Sequence, residues 1–296
     1  MLEVKVKSLS LILVFTYNCI KFIIKTPIDI LKKSQHLELL VHLHPYCFSY
    51  AIIDKTQHQL IDFEVKVINQ QLGKFLHLDT IALWFADHEE TFSLPFKTSK
   101  VAIYSPEFTI LPEKTDKTAE LFKLLGYPNS DNITYLKNKI SDTFYVYYSL
   151  PDKTINFIEN HLPNVEFFCI DYGLLNFYNS KLSFKNYVAA NLYGEELTIC
   201  YKRNNENLYY NKFPVKGKED LLYYLRLTYE HLELSLNEFP TYLYGFIEEK
   251  SPMYSTTYGY IRNFEIDRTL KNTLSLRMTI EDIPLHYYIN LIGLDL

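Results

Sequence analysis

The chain has 296 residues, 48% of them hydrophobic and 22% charged, with a net charge of −5. That composition supplies a full core and excludes intrinsic disorder, collagen-like repeats and disulfide miniproteins. Residues 1–150 carry 16 lysines against 16 acids, all five arginines lie beyond residue 200, and neither half is basic, so no nucleic-acid footprint is expected.

At the start, Leu9–Ile20 is apolar but too short to span a bilayer as a helix, and no small-residue cleavage site follows. Residues 1–37 read as an N-terminal extension, either a packed element or an upstream addition. Leu37–Val65 reads as strand, turn, strand, polar turn, strand, with Asp54-Lys55-Thr56-Gln57-His58 as the polar connection. Val67–Leu76 fits a helix, and Ile81–Phe85 and Val101–Tyr104 fit strands. Thr118–Leu125 predicts a helix with Gly126 just past its end. Phe144–Tyr148 predicts a strand, Pro151–His161 a helix and Val165–Ile170 a strand.

Lys185–Val215 repeats the opening pattern at an offset of 148 residues. Gly217–Asp220 opens a helix whose first turn carries two acids, favourable to its dipole. Thr241–Ile247 predicts a buried strand. Ser251 is placed to cap a helix with Pro252 at its first position, running to Arg262. Phe264–Ile266 predicts a strand and Glu281–Ile292 a final helix. A βββαβαβ-like order occurring twice predicts an α/β protein of two lobes, residues 38–184 and 185–296, each with a mixed sheet.

This duplicated organisation resembles the two-lobed actin-like (ribonuclease H-like) fold. More narrowly, the chain resembles an uncharacterised bacterial family, domain of unknown function 3822, which has an actin-like ATPase fold. The residues that carry the likeness are Phe48–Asp54, Val101–Tyr104 leading to Phe108–Pro112, Tyr148–Pro151, and Glu206–Gly245 with Leu222-Tyr223-Tyr224-Leu225 and Tyr242-Leu243-Tyr244-Gly245. Tyr260–Asn263 extends it. These are packing patterns spanning residues 38–266. More distantly, the chain is similar to actin-like scaffold proteins of pilus and secretion machines.

The resemblance implies what an ATPase would need: two Asp-x-Gly hairpin turns around the phosphates, a Gly-Gly loop against adenosine, and an Asp for the metal. Glycine is required there because a Cβ blocks the approach of backbone N–H groups to phosphate. The chain has eight glycines. Its first hairpin turn reads His42-Leu43-His44-Pro45-Tyr46-Cys47, with neither Gly nor Asp. The second reads Asn191-Leu192-Tyr193-Gly194-Glu195-Glu196, with Asn191 where an acid would stand. The adenosine-type loop would be Tyr244-Gly245-Phe246-Ile247, with one Gly. Asp171-Tyr172-Gly173, after a strand, matches Asp-x-Gly and reads as a strand-to-helix connection or as a phosphate turn. A nucleotide-binding alternative would therefore rest on Asp171, Gly173, Asn191, Gly194 and Gly245.

Other chemistry is thin. His42 and His44 are two apart on a strand and share a face; with Asp54 or His58 they offer a zinc set, but no third ligand is fixed by spacing. Asp87-His88-Glu89-Glu90 reads as a solvated turn between strands. Nucleophile-elbow, P-loop and zinc-protease motifs are missing. The four cysteines sit in apolar runs without a C-x-x-C pair, which fits a reducing cytoplasm. No catalytic residue, metal or cofactor is expected.

Tyrosine is the unusual resource, with 26 in the chain. Neighbours such as Tyr223-Tyr224 and Tyr287-Tyr288 cannot easily face one core, so some rings are expected at the surface as a docking site. The expectation is a cytoplasmic, degenerate actin-like pseudo-ATPase, a non-catalytic scaffold or protein-binding module with an unidentified protein partner. The alternatives are a divergent nucleotide-binding ATPase or kinase-like enzyme, and a small-molecule binding module.

Overall fold

The computed structural model describes residues 23–24, 36–57, 59–68, 76–112, 114–127, 132–142, 144–181, 186–203, 207–268, 277–278 and 284–295. They divide into two compact units. The first draws on residues 19–183, 271–284 and 288–296, the second on 184–270 and 285–287.

The first unit is built on β1 (Ile23–Ile24), β2 (Leu37–His44), β3 (Cys47–Asp54), β4 (Gln59–Val67), β5 (Thr98–Ile103) and β9 (Val165–Cys169). They lie in the order β1-β4-β3-β2-β5-β9, and β15 (Arg277–Met278) also pairs with β4. β2, β3 and β4 form two antiparallel hairpins, while β5 and β9 run parallel to β2 and to each other. All eight residues of β2 are buried, which explains its near-continuous apolar run: both faces of a strand in mid-sheet are covered. Its buried Glu38 lies 3.7 Å from Lys55 and 3.9 Å from Lys100.

A smaller antiparallel sheet, β6 (Phe108–Leu111), β8 (Tyr145–Pro151) and β7 (Ile133–Lys139), belongs to the same unit. Helix α3 (Thr118–Leu124) stacks Phe122 on Tyr135 of β7, ring centroids 5.2 Å apart.

Ile81–Phe85 is helical, not a strand: it lies within α1 (Leu78–Asp87). Ile81, Trp84 and Phe85 are buried while Leu83 is 69% exposed, a one-sided i, i+3, i+4 pattern. A short apolar run fits either period, and packing against the sheet decides. α1 leads directly into α2 (Glu89–Phe92), so Asp87–Glu90 joins two helices, not two strands. His88 in that joint is buried, not solvated. Its Nδ1 donates to the Trp84 carbonyl at 2.8 Å, and its Nε2 lies 3.2 Å from a Glu64 carboxylate oxygen. Most of the helix expected over Val67–Leu76 lies outside the described residues.

After α4 (Asp152–His161) and β9, helix α5 (Tyr172–Lys181) ends the continuous part of this unit. The second unit repeats the plan. Strands β10 (Val188–Tyr193), β11 (Glu196–Arg203) and β12 (Asn207–Pro214) form antiparallel hairpins; β13 (Thr241–Gly245) and β14 (Phe264–Ile266) add in parallel, in the order β12-β11-β10-β13-β14. This is the order β4-β3-β2-β5-β9 of the first unit. Helices α6 (Asp220–His231) and α7 (Pro252–Tyr258) contribute Leu221, Leu225, Tyr229, Met253 and Tyr254 to a core shared with Val188, Ile199 and Leu243. Ser251 caps α7 as its sequence requires, its hydroxyl accepting from the Tyr254 N–H at 3.2 Å.

The last segment departs from the expected continuous helix. Within the described residues it is a 3-10 turn (Leu285–Tyr288), α8 (Ile289–Ile292) and a second 3-10 turn (Gly293–Asp295). Its residues from Tyr288 onward pack with the first unit, whereas 285–287 belong with 184–270 in the second. Lys55 meets Asp295 at 2.5 Å, and Lys100 donates to the Leu294 carbonyl at 2.9 Å.

Candidate functional site

In open α/β sheets, ligands collect beyond the carboxyl ends of the parallel strands, where the chain order reverses. In the first unit those ends are His42–His44 on β2, Tyr104 after β5 and Asp171 after β9. His42 and His44 share a face as their spacing dictates and stack with centroids 6.0 Å apart and planes 8° apart. Tyr46 stacks on His44, and Tyr104 meets it edge-on, each 5.2 Å away. His42 has no exposed surface; burial pulls its pKa down to about 4, against the weaker opposing pull of the Asp171 charge. The ring is therefore neutral at pH 7.

The hairpin turn between β2 and β3 is where a phosphate cradle would lie, and its donors are largely committed. Pro45 has no N–H. The Tyr46 N–H donates to His44 Nδ1 at 3.3 Å, and the Tyr46 carbonyl accepts from Ile68 at 2.9 Å. His44 thus closes its own turn.

Asp171 is buried between β9 and α5, and its carbonyl accepts from the Leu175 N–H, so the Asp171-Tyr172-Gly173 segment enters a helix directly. Gly173 lies in the first turn of α5. A Cβ there would stand 2.1 Å from the Asn290 carbonyl oxygen, so this glycine serves backbone contact between α5 and α8.

In the second unit, Asn191 is buried on β10 with Thr198 opposite on β11 and Tyr244 opposite on β13. Gly194 occupies the hairpin turn at φ +58°, a left-handed conformation. Gly245 has φ +80°, and a Cβ would lie 2.1 Å from the Leu192 carbonyl oxygen, which already accepts from the Phe246 N–H at 2.7 Å. Its bare Cα is thus filled by the neighbouring strand. Of the sequence candidates, the second unit brings Asn191, Gly194 and Gly245 to the carboxyl ends of the adjacent strands β10 and β13; Asp171 and Gly173 lie in the first.

Sequence reasoning missed Tyr104, Asp267, Tyr193 and His286. The Tyr244 hydroxyl donates to Asp267 at 2.7 Å, both residues being buried, and burial holds the Tyr244 phenol well above its ordinary pKa. Tyr193 donates its hydroxyl to the Tyr287 carbonyl, and His286 donates from Nε2 to the Ile247 carbonyl at 3.0 Å. Burial lowers the His286 pKa. Asp267 directly follows the predicted strand Phe264–Ile266, a signal that would have found it; the others depend on distant partners. Among the described residues no three His, Cys, Asp or Glu side chains gather to hold a metal. His58, one of the zinc candidates, lies outside them.

The tyrosine pairs divide. Tyr223 is 61% exposed on α6, while Tyr224 stacks on Phe213 at 4.5 Å. Tyr287 and Tyr288 are both buried, which corrects the expectation of a ring at the surface there. The chain passes between units at this point: Tyr287 donates to Glu248 in the second, and Tyr288 packs against Phe63 in the first. Two cores take the two rings. No described helix is long and apolar enough to cross a membrane.

Duplicated mixed sheets with this strand order make up an actin-like fold. A solved protein from Bacteroides thetaiotaomicron VPI-5482, with an actin-like ATPase fold and unknown function, matches with a TM-score of 0.68 at 19% identity, over 80% of this chain and 93% of that one. The PilM-PilN type IV pilus biogenesis complex contains a chain matching with a TM-score of 0.62 at 10% identity, over 87% of this chain and 97% of its own. The chain belongs to the family described as "Protein of unknown function (DUF3822)", whose model matches residues 27–264. No curated protein matches the sequence.

Proposed function

We propose that this chain is a non-catalytic actin-like protein that works by binding another protein. The observation that carries the reading is the β2–β3 turn. A phosphate cradle needs backbone donors aimed outward. Here one position is proline and the next N–H is held by His44. The second unit's bare Cα at Gly245 lies against Leu192 rather than open space. A binding role is in keeping with PilM, which shares this architecture and occurs in a complex with PilN. The exposed Tyr223 and its neighbour Tyr224 on α6 are the proposed contact. The free thiol of Cys47, buried at the start of β3, suits a reducing cytoplasm.

One feature favours the nucleotide-binding alternative: Gly194 keeps a left-handed turn of the kind that aims N–H groups at an anion. Thermal denaturation with and without Mg-ATP separates the two. The binding-protein reading expects an unchanged melting temperature. A saturable rise that disappears in Gly194→Val would replace it with the nucleotide reading, since any ligand of the folded state alone raises stability by mass action.

A further inference from the structure

We draw no further inference here: the strongest candidate, the solvent face of α6 with Tyr223 and Leu227 one turn apart, is an apolar patch for which nothing in the structure shows what covers it.

Discussion

His42 should make the first unit sensitive to acid, and the size of the effect follows from its burial. In the unfolded chain the imidazole takes up a proton near its ordinary value of 6.5, whereas in the folded chain burial defers this to about 4. Above pH 6.5 neither state binds the proton and this group costs nothing. As pH falls from 6.5 towards 4 the unfolded state gains a proton that the folded state refuses, so stability drops. One unit of pKa difference corresponds to about 1.36 kcal/mol, giving a loss of about 3 kcal/mol across that window. His42→Gln retains a polar side chain and has no proton to take up. Urea unfolding of both proteins at a series of pH values isolates the group, because the carboxylates common to both cancel in the difference. The chain's one tryptophan, Trp84, is buried in the same unit and reports its unfolding by fluorescence. The variant should lose about 3 kcal/mol less than the parent between pH 6.5 and pH 4. Parallel acid limbs in the two proteins would refute the claim that His42 is held neutral in the core.

The glycines offer a paired comparison by thermal melting. Gly126→Ala, at φ +83° with nothing within 4 Å of the new Cβ, should cost only the left-handed penalty of about 1–2 kcal/mol, whereas Gly245→Ala adds a collision with the Leu192 carbonyl and should cost clearly more. Equal losses would show that Gly245 is not wedged against β10. Ser251→Ala should remove about 1 kcal/mol from the second unit by freeing the Tyr254 N–H, and Ser251→Asp should restore most of it; chemical denaturation measures both. His88→Leu deletes the bond to the Trp84 carbonyl and the imidazole beside Glu64, and denaturant titration should show a loss of about 1–3 kcal/mol. A neutral result there would mean that the α1–α2 joint is held by its aromatic packing alone.

Much of the architecture was legible in the sequence because its signals are local. Turn clusters bracketing β-rich runs mark both hairpin pairs, and β4 and β12 begin at Gln59 and Asn207, which is the 148-residue offset. Ser251-Pro252 marks the start of α7, and Gly126 the end of α3, through the chemistry of the residues themselves. The poverty of glycine in the would-be phosphate turns was likewise visible without any coordinates. Tertiary structure decided whatever depends on partners remote along the chain. It made Ile81–Phe85 a helix, since only the sheet beneath shows which residues are covered. It sent the residues after Tyr287 to the first unit, and so buried two adjacent tyrosines in two cores. It set His44 against the Tyr46 N–H and filled the space at Gly245 with Leu192. Periodicity along a chain reports which face is apolar; what that face or a turn's N–H meets is fixed only when distant segments pack together.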